Sequence, residues 1–295
     1  MEATKKQIIL SRAALVGLTL IWGFAFVVMK NTLEDLDATE LLAIRFLIAT
    51  LVPAVISGKR LFKVTKRALY GAIFIGISTG LAYTVQNIGL TYTTPGKNAF
   101  LTTLYCIATP FLCWAVYKKR PQKKNIIAAV ICMAGIALIS LESLDIGINK
   151  GDVYSFFGGL CFAVQIVLIE EYQHESDIFT ITAIQFFTAS LTCLIIAFIF
   201  RRPFVSVPGS AWVGILYLGF LSSTLCNLLQ LYGQKYTPPS QASVMMSLES
   251  VFAALFSFIL GMEKASFPVL LGFVLIFASV LINELDLKKK IGGTE

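Results

Sequence analysis

The sequence is poor in charge and almost without histidine. Only 14% of its 295 residues are Asp, Glu, Lys or Arg, against about 25% in a soluble domain, and 57% are hydrophobic, so the water-soluble classes are nearly excluded. The single histidine, His174, rules out a multi-histidine metal site, and the absence of an H-E-x-x-H, P-loop or Asp-rich motif argues against a metalloenzyme or an ATP-driven pump. Six cysteines (Cys106, Cys113, Cys132, Cys161, Cys193, Cys226) all fall in apolar stretches without paired spacing, and read as small buried hydrophobes rather than a disulfide framework. The net charge of +7 would suit a nucleic acid, but the basic residues lie in short connectors rather than along a soluble face, so no nucleic-acid partner is expected.

What the chain does have is long uncharged runs. Ten windows (13–29, 41–57, 68–90, 98–117, 125–141, 153–169, 178–200, 211–234, 240–262 and 266–283) hold only Arg45 and Glu249 of the 41 charged residues. Runs of roughly 17–25 residues cross a hydrocarbon core about 30 Å thick as helices, since no water is there to satisfy open backbone groups. The expected fold is an all-α membrane protein of ten transmembrane helices in a lipid bilayer, with a nine-helix count left open by the shortest windows. The first span follows a basic segment but shows no small-residue cleavage site, and is expected to be retained. With the N-terminus inside, seventeen Lys and Arg fall on the cytoplasmic side and six outside (Lys30, Lys97, Lys150, Arg201, Arg202, Lys264), so both termini are expected in the cytoplasm. The bias weakens in the second half, where the connector holding Glu170, Glu171, Glu175 and Asp177 has no basic residue on the expected inside.

The chain also repeats. A shift of 144 lays 81–89 (LAYTVQNIG) on 225–233 (LCNLLQLYG) and Tyr92-Thr93-Thr94-Pro95 on Tyr236-Thr237-Pro238-Pro239, with seven identities in the 24 positions from 81 to 104. A shift of 138 lays Phe24-Ala25 on Phe162-Ala163, which leaves five helices in each half, 1–145 and 146–295. An odd number per half makes the repeats inverted, an arrangement that builds carriers because exchanging the halves' conformations exchanges inward and outward access. Thr93-x-Pro95 and Thr237-Pro238-Pro239 read as matched helix starts, a hydroxyl cap followed by proline, or as plain turns. As helix starts their dipole ends would favour an anion, with Lys97 one turn in.

Trp22-Gly23 with Phe24-Ala25-Phe26-Val27, the Arg45-Phe46 pair, the Thr-x-Pro starts, and above all 248–255 (LESVFAAL) with Gly261-Met262-Glu263 and Gly272 resemble the EamA-type members of the drug/metabolite transporter superfamily over nearly the whole chain. The chain departs from that pattern at Ser250, where many relatives have proline, and at Tyr105, which stands opposite Glu249 in the first repeat. The resemblance implies a secondary transporter in a bacterial inner membrane that exports or exchanges a small organic metabolite, often an amino acid, by alternating access through a central cavity. It implies no cofactor.

Polar residues inside the spans supply the candidate site. Glu249 lies ten residues past its helix start, about 15 Å deep at 1.5 Å per residue. A carboxylate there needs a partner or a proton, which makes it a proton-coupling group, a counter-ion for a substrate amine, or a structural carboxyl. Arg45, about 9 Å below the outer boundary, pairs with Glu249, meets a substrate carboxylate, or snorkels to the interface. Gln86 with Gln230 and Tyr83 with Asn227 are the repeat's sharpest pairs, and line one shared cavity or bond helix to helix. With Trp22 and Tyr105 these give the candidate substrate set Trp22, Tyr83, Gln86, Tyr105, Asn227, Gln230 and Glu249, with Glu249, Arg45 and Lys97 as candidates for ion pairing or coupling. Trp22, Tyr83, Tyr105 and Trp114 would form an aromatic cage, unless, among 36 aromatic residues, they only pack.

Other classes fit less well. Gly76-Ile77-Ser78-Thr79-Gly80 matches the G-x-S-x-G nucleophile pattern but sits in an apolar helix without a histidine base, and reads as a small-residue packing face rather than an enzyme site. A multidrug cation exporter uses a midplane carboxylate, and only Glu249 is available. A nucleotide-sugar exchanger needs deep basic residues, and only Lys97 and Arg45 are. A membrane scaffold would bind no solute at all.

Overall fold

A computed structural model describes residues 4–118, 120–140, 149–201, 206–261 and 266–284, all helix and connector with no strand among them. The helices are α1 (Lys5–Thr32), α2 (Ala38–Ser57) with a 3-10 turn at Gly58–Lys63, α3 (Lys66–Tyr92), α4 (Pro95–Thr102), α5 (Tyr105–Tyr117), α6 (Lys123–Ser140), α7 (Lys150–Tyr172) and α8 (Ile178–Ile199). They continue with α9 (Ala211–Leu216), a π-helical stretch Tyr217–Leu225, α10 (Cys226–Gln234), α11 (Pro239–Met246), α12 (Leu248–Ile259) and α13 (Phe267–Glu284). α4 and α5 share one rod, as do α9 with α10 and α11 with α12, so the described residues form ten rods. Eight are long and apolar enough to cross a membrane, and the shorter α6 and α13 lie against each other. Met262, Glu263 and Lys264 of the second half, and the basic positions Lys119, Arg202 and Lys288 to Lys290, lie outside the described residues.

The helix starts follow from polar caps. Asp37 accepts from the Thr39 amide at the head of α2, Asp177 accepts from the Phe179 and Thr180 amides at the head of α8, and Asn149 and Asp152 form a reciprocal capping box on α7. At α4 the cap is Thr94, which accepts from the Lys97 amide, and not Thr93 as the sequence pattern implied. At α11 there is no hydroxyl cap, and Thr237 Oγ1 instead lies 3.2 Å from Ser11 Oγ. A residue just before proline is held extended, so the cap falls there in both cases. In the first helix that residue is a threonine, and in the second it is Pro238.

Polarity is arranged inside out. Phe62, Phe198 and Val55 stand more than four-fifths exposed, while Asn98 and Gln185 are wholly buried, as expected where lipid bathes the surface and polar groups must find protein or water inside. α3 runs along α7 and α8, α2 along α8, and α1 along α12 and α10. The α3–α8 approach depends on the Gly76-x-x-x-Gly80 face: a Cβ at Gly76 would sit 2.5 Å from the Gln185 carbonyl oxygen. Ser78, the would-be nucleophile, faces the other neighbour and donates to the Cys161 carbonyl of α7. Of the eight spans the α11–α12 rod is the most buried, at 72% against 39% to 56% for the other seven.

The acidic connector of the second half is neutralised from the first. Arg67 pairs with Glu171 at 3.0 Å and Glu175 at 2.7 Å, and Arg60 with Asp177 at 3.5 Å. The two connectors therefore lie on one side of the molecule, and the weak positive bias of the second half is a matter of shared charge. All six cysteines are free, four of them buried.

Candidate functional site

Two of the ten rods break beside each other at the centre. The α4–α5 rod turns tightly at Thr103 and Leu104, where Thr103 Oγ1 donates back to the Ala99 carbonyl at 2.7 Å, and α11–α12 breaks at Ser247, whose hydroxyl donates to the Val244 carbonyl. Hydroxyl back-bonds of this kind draw the local backbone out of a regular helix. Residues at and just after the breaks meet: Tyr105 Oη donates to Glu249 Oε1 at 2.9 Å, and Thr103 Oγ1 and Ser250 Oγ lie 2.8 Å apart. Tyr105 and Glu249 are 144 residues apart, so the pair that corresponds under the sequence shift is also the pair in contact.

These breaks border a half-open cavity with about 730 Å³ of space not filled by atoms, open solvent included. All seven candidate substrate residues line it, and so does Arg45. Trp22 donates its indole Nε1–H to the Ser222 carbonyl at 2.9 Å, and Tyr83 stands edge-on to Phe162 and Phe46. Gln230 donates to Gln165 at 3.2 Å and to Gln234 at 3.0 Å, and Gln86 to Thr102 at 3.3 Å.

Three open readings are narrowed. Arg45 neither snorkels nor pairs with Glu249: it is 2% exposed, its Nε donates to Ser223 Oγ at 2.7 Å, its Nη2 to Ser222 Oγ at 3.0 Å, and its guanidinium carbon lies 4.7 Å from the centre of the Tyr83 ring. The hydroxyls of the π-helical stretch and an aromatic face hold the cation inside, which removes the reason to reach for water. Lys97, a candidate for ion pairing or coupling, makes a buried 2.8 Å ion pair with Asp152 away from the cavity, tying the head of α4 to that of α7. Trp114 is 42% exposed and leaves the aromatic lining to Trp22, Tyr83 and Tyr105. Asp152→Asn should therefore cost more thermal stability than Arg67→Ala, since the Lys97–Asp152 side chains are each 8% exposed while those of Arg67 and Glu171 are 61% and 37% exposed and such surface pairs contribute under about 1 kcal/mol. Melting curves of the purified variants, followed by intrinsic fluorescence, would show the reverse order if the buried pair were dispensable.

The cavity also contains Thr79, Phe162, Gln165, Ser222 and Ser223, which the sequence reading left out of the site. Beside them Gln185 bonds to Thr79 and Asn227. One signal for Gln185 was present: Ala43-Ile44-Arg45-Phe46 recurs as Ala183-Ile184-Gln185-Phe186, at a spacing of 140 that a single fixed shift does not reveal. A second, open cleft lies at the other end of the molecule from Lys97, between the ends of α5 and α7 and the head of α11, lined among others by Tyr117, Glu170, Ser240 and Gln241.

Comparison with known proteins points one way. The model of the EamA-like transporter family matches residues 11–141 and again 149–284. A protein of Archaeoglobus fulgidus named only as an uncharacterized transporter is 30% identical over 266 residues, covering 90% of this chain and 83% of its own. The uncharacterized transporter YyaM of Bacillus subtilis is 24% identical over 279 residues, covering 90% and 91%. A solved crystal structure superposes over 98% of this chain and 99% of its own with a TM-score of 0.77 at 15% identity, a likeness of fold alone.

Proposed function

The chain belongs to the EamA-like transporter family, and from that premise we propose that this membrane transporter is a secondary carrier that exports or exchanges small organic metabolites, amino acids above all, by alternating access. The observation that carries this reading is the central cavity, which holds one buried guanidinium, Arg45, and one buried carboxyl, Glu249, among amides and aromatic rings. A zwitterion with an apolar side chain has matching chemistry: a carboxylate for the cation, an ammonium for the carboxyl, and a body for Trp22, Tyr83 and Tyr105. Gln86, Asn227 and Gln230 supply the neutral donors and acceptors that fix orientation.

The moving parts in this reading are the two inverted halves, 1–145 and 146–295. The family match to each half supports it. So does the packing, in which α3 against α7 has a counterpart in α10 against α1, while α2 with α8 and α6 with α13 are their own counterparts. The head of α4 is tied to α7 through Lys97 and Asp152, and the open cleft lies at the opposite end, the expected cytoplasmic one. Glu249 is the proposed site of proton exchange, and the bacterial plasma membrane with cytoplasmic termini is the proposed location. The test is counterflow in proteoliposomes loaded with labelled leucine, phenylalanine and a panel of further amino acids and metabolites. Saturable exchange of one compound class is the expected result, and no flux of any of them through folded protein would remove the reading.

A further inference from the structure

Two polar clusters beside the cavity are built to one plan and differ by a charge. Arg45 of α2 and Gln185 of α8 occupy the same place in the repeated Ala-Ile-x-Phe segment. Arg45 Nε donates to Ser223 Oγ at 2.7 Å, and Gln185 Nε2 donates to Thr79 Oγ1 at 3.2 Å, where Ser223 and Thr79 correspond at 144 residues. Arg45 lies over the ring of Tyr83, and Gln185 bonds to Asn227, the counterpart of Tyr83.

The neutral cluster closes on itself. Gln185 and Asn227 exchange amide bonds at 3.0 and 3.2 Å, and Asn227 also donates to Thr182 at 3.0 Å. The charged cluster does not. Arg45 has two hydroxyls and aromatic faces, and no carboxylate of the described residues forms an ion pair with it although it is 2% exposed. Glu249, the carboxyl of the same cavity, already accepts from Tyr105. An arginine keeps its proton under all ordinary conditions, and a buried charge without a counter-ion is costly, so the site is complete only when an anion joins it.

We propose that this anion is the substrate's own carboxylate, which docks on the guanidinium of Arg45 in place of the Ser222 and Ser223 hydroxyls. The inference rests on reading the cavity as the substrate site, and it narrows the cargo to organic carboxylates. The planar fork of the guanidinium suits a carboxylate and offers nothing to an amine. Arg45 is thus the residue that sets specificity, and Gln185 is its neutral twin.

The experiment compares affinities of the full-length protein in nanodiscs for leucine, isoamylamine and 4-methylpentanoate, and for phenylalanine, phenethylamine and 3-phenylpropanoate, measured by calorimetry. Wild type is expected to bind the carboxylate-bearing members at least tenfold more tightly than the matching amines. Arg45→Gln is expected to remove between about ten- and a hundredfold of that preference, the scale of a lost charge-assisted bond, with amine binding no weaker because no cation then faces the ammonium. Arg45→Lys should keep the preference in weakened form, and the exchange Arg45→Gln with Gln185→Arg should restore much of it. Equal wild-type affinity for amine and amino acid would overturn the assignment even if no variant folded, and so would equal losses for both ligands in Arg45→Gln. Folded wild type that binds none of the six, and shows no counterflow with any compound, would instead remove the transport reading itself.

Discussion

Glu249→Gln is expected to abolish the pH-driven accumulation of substrate while leaving exchange measurable at raised substrate concentration, since the ammonium loses its charged partner. If one proton moves against one substrate, each unit of imposed pH difference sustains about a tenfold concentration ratio, because a pH unit is worth 1.36 kcal/mol per proton. The glutamine variant has no proton to lose at this position, so its ratio should stay near one at every gradient. The substitution leaves the fold a fair chance, since the new amide oxygen can still accept from Tyr105 Oη, now 2.9 Å from Glu249 Oε1. Exchange of labelled for unlabelled substrate needs no net proton movement, and should persist in the variant. Gradient-driven accumulation equal to that of wild type would show that the carboxyl is structural.

The second large effect is steric. A Cβ at Gly23 would lie 2.5 Å from Phe252 Cβ and 2.8 Å from the Ala253 amide nitrogen, so even alanine forces α1 away from α12. These two helices carry Trp22 and Glu249 on the cavity wall. Gly23→Ala should destabilise the protein by about 1–3 kcal/mol, the usual cost of overpacking, and should lower counterflow more than tenfold by shifting the wall. Gly17 supplies the control on the same helix, because a Cβ there meets nothing within 4 Å. Similar melting temperatures and fluxes for Gly17→Ala and Gly23→Ala would mean that close approach of the two helices is not required.

The membrane architecture was readable because it depends on runs of residue type. Ten windows with two charges among them became ten rods, and the shift of 144 paired Tyr105 with Glu249, which meet in a hydrogen bond. Individual partners were harder to read. Whether Arg45 snorkels depends on which hydroxyls face it, and Ser222 and Ser223 lie more than 170 residues away on a helix whose local geometry no periodicity announces. The role of Lys97 turned on Asp152, which as a sequence feature is only one polar residue at a helix head. The breaks at Thr103 and Ser247 fall inside apolar windows because a hydroxyl bonded back to its own helix leaves the composition unchanged.

One detail of the π-helical stretch reaches further. Gly71 and Gly76 of α3 have counterparts in Gly214 and Gly219, 143 residues on, and each pair presses on matching neighbours: Tyr172 and Thr32 for the first, the carbonyls of Gln185 and Arg45 for the second. From Leu81 onward the counterpart is 144 residues on. The later segment has therefore gained one residue between Gly219 and Leu225, and the wider turns at Tyr217–Leu225 absorb it without disturbing either flank. Within that stretch Ser222 and Ser223 both meet Arg45, whereas of their counterparts Ser78 and Thr79 only Thr79 meets Gln185 and Ser78 bonds to the Cys161 carbonyl. The segments have diverged in length as well as in charge and are no longer interchangeable parts.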